Sequence, residues 1–125
     1  MQSIFYVALG GALGALARFG VNELSLWLFG RHFPVGTLLV NLVGSFLMGL
    51  LMGLVLAGHV QIQPWKQFIG LGFLGAFTTF STFAMDNVLL LEQGEYLKAG
   101  LYIGLNLVLS ILLAFSGMAL VRNHL

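Results

Sequence analysis

Hydroxyl and amide side chains, joined by a few aromatic rings, are the groups through which this sequence could do chemistry. The segment Gly75-Ala76-Phe77-Thr78-Thr79-Phe80-Ser81-Thr82-Phe83 packs four hydroxyls and three phenylalanines together. Asn41 and Ser45 stand one helical turn apart, on a face that continues to Gly49. Tyr102, Asn106 and Ser110 repeat at intervals of four, with Gly117 close to the same stripe. Such O–H and N–H groups are neutral donors. A ladder of them can replace the water around a small anion without trapping it, the balance that conduction requires. The plainer use is hydrogen bonding between helices, which averages only about 0.6 kcal/mol per contact. Three separate stretches with polar faces favour a track.

Phe80 and Phe83 share a face if the chain is helical there. An aromatic ring has a negative face and a positive edge, so edges turned toward a path would favour an anion, although plain packing is the commoner use of such a pair. Charged groups are few. Arg18 either snorkels to an interface or sets a positive vestibule potential that draws anions in. Asp86 lies one turn beyond Phe83, where a carboxylate within a membrane segment is a functional hypothesis or, near the end of that segment, an ordinary wetted acid. Glu23 falls near Trp27 and reads as interfacial. His32, His59 and His124 are isolated from one another, and there are no cysteines, so neither a metal cluster nor a catalytic dyad can be drawn. No enzyme is expected. Gly70-Leu71-Gly72-Phe73-Leu74-Gly75 matches G-x-G-x-x-G, but that motif has meaning only between a strand and a helix, and here it lies inside an apolar segment.

These groups sit in a chain that water cannot accommodate. Of 125 residues, 59% are hydrophobic and 7% charged, and the mean hydropathy is +1.01. A soluble domain needs roughly 25% charged residues to cover its core. The net charge of +1 excludes an electrostatic footprint for nucleic acid. The length allows one membrane domain, residues 1–125.

A bilayer core of about 30 Å needs roughly 20 apolar helical residues. Four stretches satisfy this, at about 4–29, 34–57, 65–91 and 99–121, separated by short polar breaks. Trp27, Trp65, Tyr96 and Tyr102 fall near their ends, where amphipathic rings anchor. Pro34 and Pro64 precede or open a helix, where a missing N–H costs nothing. Ala15-Leu16-Ala17 resembles a leader cleavage site, but Met1-Gln2-Ser3 lacks a positive start, so the first stretch is read as a span. Small residues at helical spacing, Gly10 with Gly14 and Ser45 with Gly49 and Gly53, predict close helix packing.

Lys66 and Arg122 fall on one side of the membrane, Arg31 and Lys98 on the other. The positive-inside rule therefore sets no orientation. Either other signals fix it, or the chain inserts both ways and two inverted copies assemble; four spans can barely enclose a path, which favours the second. The Gly75–Phe83 segment falls in the middle of the third span. Its glycine and hydroxyls could satisfy a broken backbone, leaving carbonyls near Gly75 and Thr78 free for a hard cation such as Na⁺. An unbroken helix whose threonines bond back to their own i−4 carbonyls fits equally well.

Thr78-Thr79-Phe80-Ser81-Thr82-Phe83 resembles the signature of the Fluc (CrcB) fluoride channels. The run from Gly10 to Phe19 and the run from Gly36 to Phe46 are similar to that family's other two motifs, in the same order. The resemblance implies an all-α integral membrane protein of four transmembrane helices, the third broken near its middle, assembled as an antiparallel dual-topology homodimer. It implies two separate pores, passive and selective for fluoride over chloride, and a central structural Na⁺ on the backbone carbonyls of Gly75 and Thr78 from both subunits. Phe80 and Phe83 match the rings that present edges to fluoride, and Asn41 and Ser110 match polar residues beside the path. Arg18 matches an arginine at the vestibule. Thr79 and Thr82 belong to the same signature, and Tyr102 and Asn106 extend the path on spacing alone. Relatives often carry Glu at the position of Asp86 and Tyr at that of Phe19.

Fluoride is small, basic and tightly hydrated, so neutral donors and ring edges suit it better than a fixed cation would. Hydrogen fluoride enters an acid-exposed bacterium and dissociates in the cytoplasm. A passive channel in the inner membrane then suffices for export, because the negative-inside potential drives the anion out. The rival reading is a proton-coupled exporter of the small multidrug type, which needs a carboxylate deep in the first span; that span's interior holds only Arg18.

Overall fold

A computed structural model of the chain describes residues 2–60 and 62–124, without the side chains of residues 62 and 63. Met1, Gln61 and Leu125 lie outside the described residues, and with them the ends of the expected domain and one residue of its second loop. Every described element is helical. Four helices are long and apolar enough to cross a membrane: Gln2–Phe29, Val35–Leu56, Pro64–Glu92 and Tyr96–His124. The fourth of these helices begins before the apolar stretch at 99–121 and runs past it, from Tyr96 to His124. The protein is an all-α, multi-pass membrane protein, and large apolar side chains from Ile4 to Leu120 cover its outside where lipid would be.

Short turns connect the spans. The second span stops because Gly58 takes a φ of 82°, which a side chain with a Cβ resists. The Gly58 N–H then donates to Val55 O and the His59 N–H to Leu54 O, closing the end of the helix. Gly94, at a φ of 77°, ends the third span in the same way: its N–H donates to Leu91 O, and that of Glu95 to Leu90 O. Pro34 stands just before Val35, where the second span begins. Lys98, in the first turn of the fourth span, ties that span to the first loop by donating from Nζ to the carbonyl of His32 at 3.1 Å.

Glycines decide which helices touch. Gly10 and Gly14 lie directly against the backbone of Phe68, Gly72 and Phe73, so a Cβ at either would collide with main chain. Gly72, within the rejected phosphate-type motif, is thus a packing residue. Gly49 meets the backbone of Ala114, and Gly117 meets that of Phe46 and Gly49. The first span is therefore paired with the first half of the third, and the second with the second half of the fourth. Close backbone approach of this kind supplies the packing that lipid does not drive.

Two stretches depart from regular α-helix. Ile62–Leu74 and Leu105–Leu109 are wound in wider, π-type turns, a geometry that recurs at functional sites. The third span also breaks. Gly75–Phe77 completes one turn, Thr78 is extended at φ −81°, ψ 160°, and helix resumes at Ser81–Glu92.

Candidate functional site

Thr78 carries both behaviours that its sequence allowed. Its hydroxyl donates back to Leu74 O at 3.0 Å, as a threonine in an unbroken helix does, yet the helix has ended at Phe77 and Thr78 itself is extended. Gly44 of the second span leaves room for the Thr78 methyl, which a Cβ there would displace.

What holds the break is an amide from the second span. Asn41 Oδ1 accepts the Thr79 N–H at 2.8 Å, and Asn41 Nδ2 donates to the Thr79 carbonyl at 3.1 Å. The same Nδ2 donates to Asn106 Oδ1 at 2.9 Å, and Asn106 Nδ2 donates to the Tyr102 carbonyl at 2.9 Å. Three spans are thus stitched through two asparagines. An asparagine amide has two N–H donors, so both of Asn41's are committed while one of Asn106's remains. Thr79 Oγ1 accepts the Thr82 N–H at 3.3 Å, in the first turn of the helix that follows.

These bonds divert donors that a continuous helix would use. Gly75 O would normally receive the Thr79 N–H, which goes to Asn41. Thr78 O would receive the Thr82 N–H, which goes to Thr79 Oγ1. Gly75 itself is exposed. Both residues named for carbonyl ligation are therefore among those whose helical donors go elsewhere at the break.

Around the stitch lies a cleft of about 460 Å³. Asn41, Thr79, Phe80, Phe83, Asn106 and Ser110 line it, and Gly75 and Thr78 complete its edge. Phe80 is 74% exposed at the open side, while Phe83 is buried, with ring centres 5.5 Å apart and planes inclined at 52°. Ser110 Oγ is buried without a hydrogen-bond partner. An unmatched hydroxyl in a polar wall is a donor held ready, because leaving it empty costs free energy.

Three residues singled out in the sequence lie elsewhere. Thr82 opens onto a second cavity of about 270 Å³ with Asp86. Tyr102 is fully buried behind Phe83, 5.3 Å from it between ring centres, and donates to Asp86 Oδ2 at 2.7 Å. Arg18 is half-buried on the first span and lines neither cavity. The second cavity also gathers Asn22, Ser25 and Thr37, which the sequence reading passed over. Thr37 was visible in principle, since it precedes Asn41 by one turn on the same face. Among the described residues no group of three or more His, Cys, Asp or Glu could hold a metal ion, so a cation here would depend on backbone and neutral oxygens.

Residues 5–118 match the family described as CrcB-like protein, Camphor Resistance (CrcB). The chain is 59% identical over 112 residues to a fluoride-specific ion channel FluC of Vibrio cholerae serotype O1, covering 90% of this chain and 89% of that one. It is 53% identical over 124 residues to a protein of the same name from Aeromonas salmonicida, covering 99% of each. A third, from Vibrio parahaemolyticus, is 58% identical over 118 residues, covering 94% of this chain and 93% of the relative.

Proposed function

This chain belongs to the CrcB-like family, and on that premise we propose that it is a fluoride-selective, passive channel that lets cytoplasmic fluoride leave the cell. The observation that carries the reading is the cleft at the broken third span. It sets the rings of Phe80 and Phe83 beside the unpartnered Ser110 hydroxyl and the uncommitted N–H of Asn106. All are neutral donors or rings with positive edges, suited to a hard, strongly hydrated anion that must also be released. Asn41 and Thr79 build the wall, and Thr82 and Tyr102 continue the path toward the second cavity. Arg18 biases a vestibule electrostatically. The names of the relatives support fluoride as the ion and a channel as the activity, which is not enzymatic.

The assembly that fits is a homodimer of inverted copies with two pores, placed in the bacterial inner membrane. The even split of basic residues supports it, as does the open side of the cleft at Phe80. A structural Na⁺ between the copies fits the donor set. Gly75 and Thr78 would hold it through carbonyls whose helical donors are diverted, and oxygen ligands of this kind suit a hard cation. The ion would supply fixed positive charge that ties the two breaks together. Replacing Na⁺ by K⁺ is then expected to lower the thermal midpoint of the purified dimer.

The deciding experiment is fluoride efflux from liposomes carrying the purified protein, read with a fluoride electrode while valinomycin clamps K⁺. Rapid, electrogenic fluoride release without chloride release is expected. Folded protein that releases no fluoride would overturn the reading, and proton-coupled movement of a cationic drug in its place would return the small multidrug alternative.

A further inference from the structure

Tyr102 is the layer between two cavities. On one side its ring lies 5.3 Å from Phe83, which lines the cleft. On the other it stands edge-on to Phe33, 5.5 Å away at 87°, which lines the second cavity. The phenol is fully buried and donates to Asp86 Oδ2 at 2.7 Å. On the path proposed above, an anion crossing from one cavity to the other passes this ring. Its O–H is already committed to a carboxylate.

We propose that Asp86 determines ion specificity as a positioning residue acting through Tyr102. By holding the phenol O–H, it admits only an anion able to take that hydrogen bond from a carboxylate. The inference rests on the fluoride reading above and names the residue that sharpens its selectivity. Fluoride concentrates its charge on one small atom and accepts hydrogen bonds about as strongly as a carboxylate does. Exchange of the phenol between Asp86 and a passing fluoride is therefore nearly balanced in free energy. Chloride, larger and a weaker acceptor, cannot displace the carboxylate and meets a closed layer. The carboxylate also repels an anion that lingers. Asn22 and Ser25 of the first span, Thr37 of the second and Thr82 of the third face the same cavity, and all are neutral. Asp86 and Tyr102 are thus the titratable pair at this layer, and Arg18 and Glu23 line neither cavity.

The test measures fluoride and chloride efflux side by side from liposomes carrying wild type, Asp86→Ala, Asp86→Asn, Asp86→Glu, Tyr102→Phe, and Tyr102→Phe with Asp86→Ala. Asp86→Ala frees the phenol for weaker acceptors, and the ratio of fluoride to chloride flux is expected to fall about tenfold, the scale of one hydrogen bond. Asp86→Glu should restore the ratio. Asp86→Asn, nearly isosteric and uncharged, should lower it less, and it provides the readout if Asp86→Ala fails to fold. In the Tyr102→Phe background, removing Asp86 should change the ratio no further. An unchanged ratio in folded Asp86→Ala or Asp86→Asn would overturn the inference, as would an equal fall with Tyr102 already replaced. Wild type that releases no fluoride would instead overturn the channel reading itself.

Discussion

Asn41 holds Thr79 by both of its backbone polar groups, accepting from the N–H at 2.8 Å and donating to the carbonyl at 3.1 Å. A side chain of the second span thus does for one residue what a neighbouring strand would do in a sheet. Within a bilayer, exposed backbone has no water to turn to, so the third span can stay open only because this amide is present. The break, the committed Asn106 and the wall of the cleft all depend on it.

Asn41→Ala should therefore strand a buried N–H and a carbonyl together, each omission costing about 1–3 kcal/mol. The expected outcome is a lower thermal midpoint in detergent, with fluoride efflux lost. Asn41→Asp keeps the acceptor for Thr79 but loses both N–H donors, and should lose stability as well. A midpoint unchanged in both variants would show that the break does not need the amide.

Ser110→Ala separates function from folding. The hydroxyl has no partner within the protein, so its removal should leave the melting midpoint unchanged or slightly raised, because a buried unmatched group costs about 1–3 kcal/mol. Fluoride flux through the cleft should nevertheless fall. Flux equal to wild type would take Ser110 off the path.

The two phenylalanines should respond differently. Phe80 is 74% exposed, so Phe80→Ile is expected to abolish fluoride efflux in liposomes while barely moving the stability of the single chain. Phe83 packs with Leu90, Ala99 and Tyr102. Phe83→Ala should cost about 3–5 kcal/mol through the cavity it leaves, and lose flux too.

Glycine substitutions should sort by what lies opposite. A Cβ at Gly10 would strike the carbonyl of Phe68, which cannot yield as a flexible side chain would. Gly10→Val should therefore separate the first span from the third and leave little folded protein on size exclusion. Gly20 faces open space, and Gly20→Ala should be neutral or stabilising by about 0.5–1 kcal/mol.

Much of this architecture can be read directly from residue types. Four spans follow from apolar length, and the helix pairs follow from Gly10, Gly14 and Gly49, because small residues leave few other ways to pack. The sequence fits a broken and an unbroken third span equally, since Thr78 can bond to Leu74 O whether or not the helix continues, and its hydroxyl does so here. What decides the matter is Asn41, a residue 38 positions from Thr79 in the chain. No local pattern reports that partnership. Its spacing alone makes Asn41 a donor toward an ion, and the fold gives both of its N–H groups protein acceptors. The orientation of Thr82 was hidden for a related reason. One extended residue at 78 resets the helical phase, so faces counted across it from either side do not match. The wide turns at Leu105–Leu109 likewise break the even spacing assumed for Tyr102, Asn106 and Ser110. These residues still reach one neighbourhood, but Tyr102 stands behind the cleft wall.

The glycine turns at Gly58 and Gly94 also bear on how the protein is made. Gln93, Gly94 and Glu95 are all that separates the third span from the fourth, and so short a link gives neighbouring helices no slack to orient independently. Once one span is threaded, the directions of the others alternate from it. Insertion is therefore a single binary decision taken for the whole chain. If the chain inserts both ways, as proposed above, the balance of Lys66 and Arg122 against Arg31 and Lys98 leaves that decision even, and one lysine added to a loop would bias it.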